Sequence, residues 1–72
     1  MIYLVVSLEK DFDFSDEFAC CEAMQSIFYV QCALISLNEA LDQLNSMKNI
    51  NTINPAILVL DSGRSIASKI IR

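Results

Sequence analysis

Within "ISLNEALDQLNSM", Ser36 stands three residues before Glu39, the spacing of a capping box, in which each side chain satisfies a backbone donor of the other. This pattern starts a helix near Leu37. Leu37, Ala40, Leu41, Leu44 and Met47 then share one helical face, with Asn38, Asp42, Gln43 and Asn45 opposite. A helix that begins at residue 37 releases the preceding "SIFYVQCALIS" from being helical, and its aromatic and β-branched content predicts a strand. The competing reading is one helix running from Ser15 to Met47, because periodicity separates buried elements poorly.

The other elements follow from the same rules. "MIYLVVSL" is β-branched and aromatic and reads as a first strand, with Ile2, Leu4, Val6 and Leu8 on one side. "FSDEFACCEAMQ" reads as a short helix with Ser15 as N-cap and Asp16 and Glu17 in the first turn, where carboxylates suit the helix dipole. "MKNINTINP" is a loop and "AILVL" a strand. "DSGR" is a turn in which Gly63 takes the left-handed position, and "SIASKII" is the returning strand of a hairpin. A C-terminal helix is the rival there, since Ile66, Ala67, Ile70 and Ile71 also share a helical face. The expected architecture is α+β: a small sheet of three or four strands with one or two helices on one face, in the order β-(α)-β-α-β-β.

Seventy-two residues make a single domain, 1–72, and so short a chain buries only ~60% of the surface its unfolded form exposes. Its apolar content of 54% exceeds the ~45–50% of ordinary soluble domains. Apolar surface is therefore expected to remain outside, and a contiguous patch of it marks an interface, which points to a homodimer or an obligate complex. The net charge of −4 is concentrated. Residues 9 to 22 carry Glu9, Asp11, Asp13, Asp16, Glu17 and Glu22 against Lys10 alone, a local net of −5, and the rest nets +1. Such a chain lacks the basic footprint that releases counterions from a phosphate backbone, so direct nucleic-acid binding is not expected. An acidic segment instead attracts a protein partner with a basic surface, or simply keeps an oily chain in solution. No signal peptide and no membrane-spanning run is recognisable, so a cytoplasmic, non-membrane protein is expected.

Most chemistries lack their parts. Cys20 and Cys21 are adjacent, Cys32 lies eleven residues on, and there is no histidine. Three thiols so spaced do not make a structural zinc site, and no C-x-x-C is present for redox exchange. Without histidine neither a cysteine nor a serine nucleophile has its base. The three cysteines read as small core hydrophobes. Asp11, Asp13, Ser15 and Glu22 match positions 1, 3, 5 and 12 of a calcium loop, but Asp16 stands where the sharp turn requires glycine, so no metal is assigned. An apolar strand followed by "DFDFS" resembles the nucleophile motif of haloacid-dehalogenase-type phosphatases. Glu9 and Lys10 separate the strand from Asp11, and the chain is far too short for that fold. One glycine, Gly63, cannot build a phosphate-cradling loop. No catalytic residue and no cofactor is assigned, and a non-enzyme is expected.

What remains is the acidic-aromatic segment. Phe12, Phe14 and Phe18 alternate with acids: one or two anchor the segment on the core, while others give contact area beside carboxylates that meet arginine or lysine. Asp11, Phe12, Asp13, Phe14, Asp16 and Glu17 are the candidate partner-binding residues. In build, the chain is similar to small phage-encoded inhibitors of the anti-CRISPR type: under eighty residues, acidic, mixed α/β, and without catalytic parts. That likeness spans the whole chain but carries no diagnostic motif, so no functional residue follows from it. It implies an inhibitor that occupies a partner surface, with carboxylates standing in for phosphates on a nucleic-acid-binding protein such as a CRISPR effector. The alternative is a structural or accessory subunit of an obligate oligomer whose acidic loop only solubilises.

Overall fold

The structure, a computed structural model, describes residues 1–9, 12–25, 28–61 and 66–72. Its elements run β1 (Ile2–Leu8), α1 (Ala19–Gln25), β2 (Phe28–Leu34), α2 (Leu37–Asn49), β3 (Pro55–Leu60) and β4 (Lys69–Ile71). The four strands form one antiparallel sheet in the order β2-β1-β3-β4. The α+β class and the element order are those expected, and residues 28–34 are strand rather than part of one long helix.

The helix expected at residue 37 begins there. Ser36 is its N-cap, in extended backbone, and its hydroxyl accepts from the Glu39 amide at 3.4 Å. Ala40, Leu44 and Met47 are buried and Leu41 partly so, whereas Leu37 stays 40% exposed. At the other end, Asn51 is left-handed with φ 58°, the Asn51 amide donates to the Lys48 carbonyl, and the Thr52 amide donates to the Met47 carbonyl. This pair of bonds is a Schellman closure with asparagine where glycine is usual. The following loop is tied to the end of β1. The Ser7 hydroxyl donates to the Ile53 carbonyl at 2.6 Å, the Leu8 amide to the Asn54 carbonyl at 3.1 Å, and the Asn54 side-chain amide to the Glu9 carbonyl.

The two helices cover opposite faces of the sheet, which corrects the expectation of helices on one face. Val5 of β1 and Ile57 and Val59 of β3 pack under α2 with Ala40, Leu44 and Met47. Val6, Leu8, Ala56 and Leu58 face the other way and pack with Ala23 of α1 and Ala67. The cause is visible in the two central strands. "LVV" and "AILVL" are continuous apolar runs, and adjacent strand residues point to opposite faces, so both faces need a cover. Leu4, Val6 and Leu8 do share one side, as the first strand's alternation predicted.

A bulge redirects β2. Val5 pairs with Cys32 and Val6 with Val30, which leaves Gln31 without an opposite residue on β1. The alternation therefore inverts along the strand: Phe28 packs on the α1 face, while Cys32 and Leu34, of the same parity, pack on the α2 face.

Helix α2 also runs on through Lys48 and Asn49, which were expected in the loop, and two other boundaries differ from expectation. Helix α1 starts at Ala19, not after Ser15, because the acids upstream are used in turns. Strand β4 holds three residues where "SIASKII" predicted seven; it pairs Ile57 with Ile71, Leu58 with Ile70 and Val59 with Lys69. The C-terminal segment returns as a strand and not as a helix. Gly63, assigned to the turn, lies outside the described residues, as do Lys10 and Asp11.

Candidate functional site

The candidate segment is a pair of side-chain-closed turns leading into α1. Asp13 Oδ1 accepts both the Ser15 amide at 2.9 Å and the Ser15 hydroxyl at 2.6 Å. Asp16 repeats the device one step on: its Oδ1 accepts the Phe18 amide at 2.8 Å, and its carbonyl accepts the Ala19 amide at 3.0 Å. Aspartate competes well for nearby amides, which is why these residues form turns ahead of the helix instead of its first turn. Ser15, expected as the N-cap, donates to Asp13, and Asp16 organises the helix entry.

The aromatics divide by role. Phe12 and Phe14 are half-buried against the α1-face core, with ring centroids 4.8 Å apart at 66°, an edge-to-face pair. The Arg72 guanidinium lies 4.4 Å from the Phe14 centroid, stacked on the ring. These two phenylalanines are the anchors that hold the acidic segment on the sheet. Phe18 is 60% exposed and is not part of either core cluster.

The carboxylates converge. Asp13 is held below its ordinary acidity of 3.8, first by the Ser15 hydroxyl and then by the Ser15 amide. Glu22 is pushed above 4.5, chiefly by the negative charge of Asp16, with desolvation, a hydrogen bond to Asp16 and the charge of Asp13 adding to it. Asp13, Asp16 and Glu22 thus form one negative cluster, next to a groove of about 210 Å³ lined by Phe14, Asp16, Glu17, Cys20, Ile70 and Arg72, among others. Of the sequence candidates, Phe12, Asp13, Phe14, Asp16 and Glu17 come together here, and Asp11 lies outside the described residues. Phe18 and Glu22 were not among those candidates. Their signal was helical spacing, since Phe18 and Glu22 are four apart and flank the helix entry on the acidic side.

The cysteines are separated by the fold. Cys20 packs on the α1 face and Cys32 on the α2 face, with the sheet between them, and Cys21 is exposed. The core reading holds in part for two of the three and fails for Cys21. Among the described residues no group of three or more metal-ligating side chains is placed to hold a metal ion, and no helix is long and apolar enough to cross a membrane.

No known protein family, characterised protein or solved structure matches this chain.

Proposed function

We propose that this chain is a non-enzymatic protein–protein interaction module: an inhibitor that occupies a partner's basic surface through its acidic-aromatic segment. The observation that carries the reading is the convergence of Asp13, Asp16 and Glu22 on one exposed turn-and-helix entry beside the exposed Phe18 ring. With Glu17, four carboxylates lie in the same segment as the exposed Phe18 ring, the composition that recognises arginine- or lysine-rich surfaces. Arg72 of the same chain, stacked on Phe14 in the adjoining groove, is an intramolecular instance of a guanidinium meeting this segment. A partner whose basic surface normally holds DNA or RNA, such as a CRISPR effector, would find carboxylates in place of phosphates. In this reading the molecule works in the cytoplasm, as a homodimer, without cofactor and without touching nucleic acid or membrane.

The test is affinity capture from the native host in about 0.05 M and about 0.5 M salt, with bound proteins identified by mass spectrometry. The wild type should retain a basic nucleic-acid-binding protein that elutes as salt rises. A Glu17→Gln, Phe18→Ala, Glu22→Gln variant of unchanged fold should lose it by about tenfold or more. Equal, salt-resistant capture by wild type and variant refutes the reading. That outcome favours a second one, an accessory subunit of a larger assembly, which draws on the exposed Tyr29, Val30 and Ile35 at the far edge of the sheet.

A further inference from the structure

The two edges of the sheet are built differently. The β4 edge is three residues long, contains Lys69 and is followed by Arg72, so brevity and positive charge discourage another strand from joining it. The β2 edge is seven residues long, holds neither proline nor any charge, and has no neighbour on its outer side among the described residues. The charge-free stretch extends from Ala23 to Asn38, well beyond the strand. Unpaired backbone N–H and C=O groups on such an edge form a template for a further strand.

Apart from Gln31, the side chains along this edge are apolar, and several stand open to solvent. Tyr29, opposite Ser7, is 77% exposed on the α2 face, where it lines a cleft of about 150 Å³ with Met47, Ile50 and Thr52. Val30, opposite Val6, is 53% exposed and also borders this cleft, and Ile35, just past the strand, is 86% exposed. Helix α2 lies mainly over β1 and β3 and only grazes β2, so neither helix closes this side of the molecule.

We propose that β2 pairs antiparallel with β2 of a second copy, joining two sheets into one of eight strands across a two-fold axis. This deepens the homodimer element of the proposed function and rests on it. Charge selects the occupant. Two copies of a chain with net charge −4 repel, and β2 is where they meet without placing like charges face to face. A neutral strand is also complementary to itself, as an isologous interface requires. With the axis perpendicular to the sheet, both Tyr29 rings lie on the α2 face. Each tyrosine adds on the order of 100 Å² of buried area to the backbone pairing. The acidic segments stay outside this contact and remain open to a partner.

Sedimentation across a concentration series, together with amide hydrogen exchange, tests this. The wild type should form a dimer, and outward-facing amides of Phe28–Leu34 should gain protection as the dimer fills. Val30→Lys with Ile35→Lys, at exposed positions that leave the fold intact by circular dichroism, should weaken dimerisation by about a hundredfold or more, because four ammonium groups would gather at one interface. Phe18→Ala, at the acidic segment, should leave the dimer unchanged. A wild type that stays monomeric, including one whose β2 amides are protected only when a different protein's strand is added, overturns both this interface and the homodimer reading. A dimer that survives the lysines, or forms without protecting β2, overturns the interface alone.

Discussion

Glu22 shows how one side chain's surroundings set its effect on stability. The negative charge of Asp16, and then lesser causes, make Glu22 easier to protonate in the fold than in the unfolded chain. The folded state therefore binds more protons as pH falls from neutral towards 4.5, and stability rises through that window. Asp13 works in the opposite sense: its Ser15 bonds favour the carboxylate, so its contribution is present above 3.8 and is lost as pH falls further. Glu22→Gln should be more stable than wild type at neutral pH and should flatten the rise between neutral pH and 4.5. Melting temperature followed against pH checks this; parallel curves for the two proteins would show that the cluster does not act through Glu22. The convergence itself was only half legible in the sequence. The acid-rich stretch was plain, but which acids would close turns on nearby amides depends on backbone geometry that composition does not carry.

At the scale of elements, α2 is defined at both ends by its own residues. Ser36 satisfies the Glu39 amide at the start, and left-handed Asn51 closes the last turn. Ser36→Ala should cost about 1 kcal/mol by orphaning that amide. Asn51→Ala should cost about the same by placing a Cβ without local hydrogen bonding in left-handed backbone, whereas Asn51→Gly should be neutral or slightly stabilising. Urea unfolding midpoints measure all three; a glycine variant as damaged as the alanine one would argue against backbone conformation as the cause. The helix start was readable from the sequence because a cap is local chemistry. The start of α1 was not, because Ser15, Asp13 and Asp16 compete for the same amides and the winner depends on how Phe12 and Phe14 seat the segment on the sheet.

For the whole molecule, the sheet is the shared wall of two small cores. Val5 and Ile57 are completely buried under α2, and Val6 and Leu58 are completely buried under α1's side. A chain of this size has roughly 4–11 kcal/mol of stability, at the usual value per residue. Ile57→Ala should remove about 2–5 kcal/mol of it, and Ile50→Ala, at a 75% exposed position, no more than about 0.5 kcal/mol. Chemical unfolding of both variants checks the contrast; similar losses would mean that the α2-face core does not carry the fold. So thin a double core explains why apolar side chains are left over along β2, which α2 only grazes.

The sequence alone determined the α+β class, the element order, the start of α2 and the acidic character of one segment, because caps, periodicity and charge are properties of neighbouring residues. The division of the helices between two faces, the inversion of β2 at Gln31 and the convergence of Asp13, Asp16 and Glu22 were decided only by the tertiary structure. Each depends on which residues meet across the sheet or around a turn. The first two are set by packing between segments that lie far apart along the chain, and the third by how Phe12 and Phe14 seat a short stretch of turns on that packing.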